Sequence, residues 1–242
     1  MKSFIAFLAL LFAASAFESD PIPIFYDTRF DHFNCTETAR KQGACTSSWA
    51  HAIASMISER YCIAKKSKIS FSAQSLISCA NHSKTCDGKF DKVEVEQLLL
   101  TKGVVTEQCL KYQENNQAEC PAKCENGDEP KWQVCKSIAH LDNEEAIKRE
   151  ILKNGPVVCY GSINADFKDY MSGIYYYAST RKELITEAFK ITGWGWENGI
   201  FYWAAEAARG NHFGENGWAR VKISKNPKVK LVCESAFACE LA

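Results

Sequence analysis

The sequence predicts an α+β fold in which a helical lobe precedes a β-rich lobe. Apolar residues recur at helical spacing before residue 155, whereas short aromatic and β-branched runs separated by Gly-containing turns dominate from Val157 onward. That segregation argues against alternating βαβ units. With 46% hydrophobic and 24% charged residues, the 242-residue chain has the composition of a globular protein; disorder, collagen-like repeats and coiled coil are excluded.

Taken in order, the chain opens with Lys2 and the apolar run Phe4 to Ala13, followed by Ala14-Ser15-Ala16 with small residues at a cleavage site. Residues 1–16 are therefore expected to be a signal peptide. A membrane span needs roughly 20 apolar residues, and this run meets Glu18 and Asp20 too soon. Residues 17–21 form a short segment, and no repeat or linker divides 22–242. Ser47-Ser48 offer a hydroxyl N-cap to a buried helix carrying Trp49, Ile53, Met56, Ile57 and Tyr61. A second helix starts at Asp91, runs through Val93 and Leu98 to Leu100 and stops at Gly103; a third covers Glu144 to Leu152 and stops at Asn154-Gly155-Pro156. Strands are expected at 157–160, 173–177, 189–192, 201–203 and 218–223.

The 29 basic and 29 acidic residues balance, so no global field favours nucleic acid or anionic lipid. The 12 cysteines point to an oxidising compartment and hence to a secreted or endomembrane-lumen (lysosome-like) location. They form no paired Cys-x2-Cys knuckles, and no Gly-rich phosphate loop follows a strand, so neither metal nor cofactor is expected. Asn34-Cys35-Thr36 and Asn81-His82-Ser83 are glycosylation sequons.

The most informative stretch is Gln42-Gly43-Ala44-Cys45-Thr46-Ser47-Ser48-Trp49-Ala50. It stands in order with Tyr26-Asp27-Thr28-Arg29, Asn154-Gly155-Pro156-Val157, Gly193-Trp194-Gly195-Trp196-Glu197-Asn198-Gly199 before Tyr202-Trp203, and Gly214-Glu215-Asn216-Gly217. Together these motifs resemble the papain-family cysteine peptidases over residues 22–240. The cysteines around Cys109 and Cys120-Pro121-Ala122-Lys123-Cys124 resemble the cathepsin B branch. The resemblance implies a two-lobe, papain-like domain over 22–242, its central helix packed against the β-rich lobe and a cleft between.

That family uses a thiolate at the start of the central helix, a histidine that holds it, an asparagine that orients the histidine and a glutamine in the oxyanion hole. The resemblance places Ser48 where the nucleophile stands. It places Glu187, in Glu187-Ala188-Phe189-Lys190-Ile191-Thr192-Gly193-Trp194-Gly195, where the histidine stands. Their separation in sequence falls inside the roughly 130 to 150 residues expected between nucleophile and base. Ala207-Ala208-Arg209 occupies the place of an Asn-Ser-Trp triplet, so Ala207 replaces the asparagine; Gln42 alone keeps its family identity. Lys89 replaces the second glycine of a cleft segment, the loop from Cys109 to Cys120 carries no histidine, and residues 17–21 leave no room for an inhibitory propeptide. Bridges Cys35–Cys62, Cys45–Cys86, Cys79–Cys120 and Cys109–Cys124 are implied by the same resemblance, leaving Cys135, Cys159, Cys233 and Cys239 with three possible pairings.

The reading that follows is a catalytically inactive, cathepsin B-like protein that binds an unidentified protein or peptide partner, with Lys89, Glu187 and Arg209 altering the cleft. An acid-active hydrolase using Ser48 with Glu187 is the competing reading, and a structural component of an assembly is a third. The plainer alternatives make Ser48 an N-cap, Glu187 a cleft-wall charge paired with Lys or Arg, and His51 and His212 structural residues.

Overall fold

The computed structural model describes residues 20–81, 86–89, 91–176, 184–224, 233 and 235–241. The expected signal peptide and part of the Asn81 sequon lie outside them. In chain order the elements are β1 (Tyr26–Asp27), α1 (Thr28–Asp31), α2 (Ser48–Lys65), α3 (Ala73–Cys79), α4 (Lys92–Thr101), β2 (Cys135–Leu141), α5 (Glu144–Asn154), β3 (Val157–Asn164), β4 (Ile174–Tyr175), β5 (Leu184–Glu197), β6 (Ile200–Glu206), β7 (Trp218–Lys222) and β8 (Ser235–Leu241). The α+β class read from the sequence is the architecture found.

The central helix α2 is buried on nearly every side because both lobes enclose it: Trp49, Ile53, Met56 and Ile57 are at most 1% exposed. Its N-cap is Ser47, which corrects the reading of Ser48 as the cap; Ser48 is the first helical residue. Asp91 and Asn143 cap α4 and α5 by accepting hydrogen bonds from Glu94 N and Ala146 N. The Asn154-Gly155-Pro156 stop works through Gly155, whose positive φ of 97° ends α5.

The described strands form one sheet in the order β2-β8-β3-β5-β6-β7-β4, with β1 added alongside β5. Strand β5 is its axis. Its first part pairs with β3, its second part pairs with β6, and β1 joins at Gly193 and Trp194. A Cβ at Gly193 would lie 2.0 Å from the Tyr26 carbonyl oxygen, so only glycine lets β1 approach here.

Alternation along β5 divides the molecule. Ala188 joins a core built on α2, α3 and α4, while Phe189 and Ile191 join a second core with Phe167, Trp194 and Trp203. Lys190 falls on the α2 side, where an apolar residue is the default, and is fully buried.

Six disulfides close the fold: Cys35–Cys62, Cys45–Cys86, Cys79–Cys120, Cys109–Cys124, Cys135–Cys239 and Cys159–Cys233. The four cysteines with open pairing are thus joined across β2 to β8 and from β3 to the segment before β8. No described helix is long and apolar enough to cross a membrane, and the described residues contain no cluster of three or more metal-ligating side chains.

Candidate functional site between the lobes

The first turn of α2 meets β5 at the seam between the two cores. Its entry is shaped by Gly43, whose φ is +60°; a Cβ there would collide with the Glu114 carboxylate, which accepts a hydrogen bond from Ala44 N at 3.1 Å. The following residues are tied inward. Gln42 Oε1 accepts from Ser47 N at 2.8 Å, and Tyr112 Oη donates to the Gln42 carbonyl at 2.6 Å and lies 3.0 Å from Ser47 Oγ. Cys45, bridged to Cys86, anchors the same turn.

Ser48 is therefore presented at a helix start, where the partial positive charge of the helix favours an anion. Its side chain is buried, and Ser48 Oγ accepts a hydrogen bond from Ala188 N at 3.2 Å. The neighbouring Glu187 is 4% exposed, but its carboxylate turns to Arg209: Arg209 Nη2 donates to Glu187 Oε2 at 2.5 Å. The other oxygen, Glu187 Oε1, is buried without a hydrogen-bond partner, so no hydrogen bond joins Glu187 to Ser48. Burial pushes the Glu187 carboxyl above the ordinary range, and the Arg209 charge opposes that rise.

Arg209 is held in turn by aromatic faces, its guanidinium 5.8 Å from the Phe167 ring centroid and 5.6 Å from that of Phe213. Its backbone bridges Lys41, which connects the loop after β6 to the segment leading into Gln42. Ala207 is fully buried and bonds through its backbone N–H to the Gly217 carbonyl. The structure thus gathers Gln42, Ser48, Glu187, Ala207 and Arg209 around one seam. Lys89 is apart in character: its side chain is 86% exposed and pairs with Asp87 at 3.2 Å.

Behind the seam lies a constellation not anticipated from the sequence. Lys190 Nζ donates to Glu59 Oε1 at 2.5 Å and to Ser55 Oγ at 2.8 Å, both on α2, and also pairs with Glu206 on β6. The backbone N–H groups of Glu37 and Arg40 donate to the same two carboxylates. Burial alone would lower the Lys190 ammonium, but Glu206 and Glu59 together hold it above the ordinary lysine range. Burial raises Glu59, with Glu206 adding to the rise and Lys190 opposing it, as expected where one cation faces two acids.

A central helix that delivers its first side chain against a long strand, across a seam between a helical and a β-rich lobe, is the architecture of the papain-like peptidases. The match to the family model described as papain family cysteine protease spans residues 22–239, and the chain belongs to that family. It is 31% identical over 215 residues to a cathepsin B-like protein, CP1, of Giardia intestinalis, covering 84% of this chain and 69% of that one. It is 28% identical to a cathepsin B of Dictyostelium discoideum, covering 83% and 70%. Among solved structures, procathepsin B S9 of Trypanosoma congolense superposes with a TM-score of 0.81 at 26% identity, covering 92% of this chain and 78% of that one. A Carica candamarcensis cysteine protease, 23% identical, shares the fold with a TM-score of 0.75 over 90% of this chain and 99% of that one.

Proposed function

We propose that this chain is a catalytically inactive, cathepsin B-like protein that works by binding a protein or peptide between its lobes, in a secreted or endomembrane-lumen setting. The observation that carries the reading is the partnering of the two side chains that a hydrolytic dyad needs. Ser48 Oγ accepts a bond from Ala188 N, and Glu187 is engaged by Arg209, so the hydroxyl has no base in hydrogen-bond contact to take its proton. Placement of Ser48, Glu187 and Ala207 at the nucleophile, base and orienting positions supports the same conclusion. A signal peptide over 1–16, a domain over 22–242 and glycans on Asn34 and Asn81 belong to this proposal; Asn34 is exposed, as a glycosylated residue must be.

One observation favours the competing acid-range hydrolase: burial raises Glu187, bringing it closer to the strength of a useful base. Turnover of a mixed peptide library from about pH 3 to pH 8 separates the two. The binding reading expects no cleavage by the protein or by Ser48→Ala; acid-range cleavage that Ser48→Ala removes would establish the hydrolase instead.

A further inference from the structure

In the first turn of α2, three residues after Ser48, the helix contributes His51 to a pocket of about 400 Å³. The segment before α2 supplies Glu37, Arg40 and Lys41, the segment after it Lys68, and the loop beyond α4 Glu107 and Tyr112. Its volume lies in the range of small-molecule sites, roughly 300 to 1,000 Å³. His51 is the unusual member. It is 4% exposed, touches the Tyr112 ring edge-on at 4.3 Å, and neither Nδ1 nor Nε2 has a hydrogen-bond partner. A buried ring with two unmet hydrogen-bonding atoms, set in the wall of a pocket, is a group awaiting a partner.

The other walls define the partner's charge. Arg40 is committed to Glu37, Ser58, Ser70 and the Phe71 carbonyl, and Lys68 donates to the Thr36 carbonyl. Lys41 is exposed and forms no ion pair among the described residues. On the acidic side Glu37 is neutralised by Arg40, and burial raises the Glu107 carboxyl, one oxygen of which accepts from Tyr112 N. A cation entering here meets Arg40, Lys41 and Lys68; an anion meets two acids, one already paired. We propose that this pocket binds a small organic carboxylate, which accepts a hydrogen bond from the ring N–H of His51 and lies within the field of Arg40, Lys41 and Lys68. Half-buried Tyr112 forms the wall beside the His51 ring.

The full chain with isotopically labelled histidine is titrated with benzoate, and with benzamide and benzylamine as its neutral and cationic counterparts. In the free protein burial and the Arg40 charge push His51 down to about 3, so its ring is neutral at pH 7. Benzoate is expected to move the His51 ring signals saturably and to raise their titration point, benzamide to bind about tenfold more weakly and benzylamine more weakly still. Lys41→Met is expected to weaken benzoate about twofold to fivefold, and His51→Phe to abolish binding while remaining folded. The proposal is overturned if no saturable shift occurs up to about 10 mM, a ceiling far above the range of a useful site. Equal binding of the three probes, or unchanged binding by a folded His51→Phe, overturns it equally. Should His51→Phe fail to fold, the wild-type ring signals and Lys41→Met decide the matter.

Discussion

Replacing Lys190 by Met removes the cation from a site where two carboxylates converge. Lys190 is fully buried, and Glu59 and Glu206 are 2% and 4% exposed, so neither acid has solvent to turn to. Breaking a buried pair by deleting one partner costs about 3 to 5 kcal/mol, far above the 0 to 1 kcal/mol of a surface bridge. For a chain of this size each kcal/mol lowers the melting temperature by about 2 to 4 °C, so a fall of roughly 6 to 20 °C is expected. The pH dependence is the sharper signature. Without the ammonium, nothing opposes the burial that already raises the Glu59 carboxyl, so the folded state binds a proton that the unfolded chain does not. Stability lost at neutral pH is regained as pH falls through the folded value of Glu59. Denaturant unfolding followed by tryptophan fluorescence at several pH values, with the disulfides intact, measures this directly. The deficit of Lys190→Met should be largest near pH 7.5 and shrink toward pH 4.5. Adding Glu59→Gln and Glu206→Gln should recover much of the loss. A deficit below about 1 kcal/mol at pH 7.5, or one that grows on acidification, would refute the cluster as described.

Arg209→Ala strands Glu187 in the seam and should destabilise by about 2 to 4 kcal/mol, with Glu187→Gln in the same chain restoring stability; thermal melts of the single and double variants test the coupling. Because burial raises Glu187, its contribution to stability is present at low pH and lost as pH rises through its folded value, so Glu187→Gln should flatten that part of the profile. His51 acts in the opposite sense. The unfolded chain takes its proton near 6.5 and the folded chain only near 3, so lowering the pH from 6.5 to 5 should cost about 1.5 kcal/mol that His51→Phe does not lose. Among the disulfides, removing Cys135–Cys239, with a sequence separation of 104, should cost about 5 kcal/mol against about 3 for Cys109–Cys124, with a separation of 15; denaturant titration of the paired serine variants compares them.

The helix around Trp49, Ile53, Met56 and Ile57 is legible because its period survives burial on every side. The caps Asp91 and Asn143 and the stop at Gly155 likewise act locally. By contrast, β2 and β8 were not anticipated: β2 contains one β-branched residue, Ile138, and β8 sets a single large core residue, Phe237, among the small Ala236, Ala238 and Cys239, so packing across the sheet decides their state. Helix α3, at seven residues, is too short to display a period. At the seam, the motifs mark Ser48 and Glu187, and a charge partner for Glu187 is foreseeable in kind. That Arg209 supplies it, with Phe167 and Phe213 behind, depends on folding distant strands together. Lys190 illustrates the same limit: it occupies a strand position whose burial a sequence pattern would assign to an apolar residue. Its acids come from α2 and β6, and nothing local couples them.

The six bridges use all 12 cysteines, leaving no thiol in the folded chain. Electrophilic probes that tag peptidases through a reactive sulfur will therefore pass this protein by. In a mixed extract it therefore contributes nothing to a count made through reactive sulfur. Inventories built on covalent labelling will undercount the family members present, and only antibody or mass measurements of the intact chain will register this one.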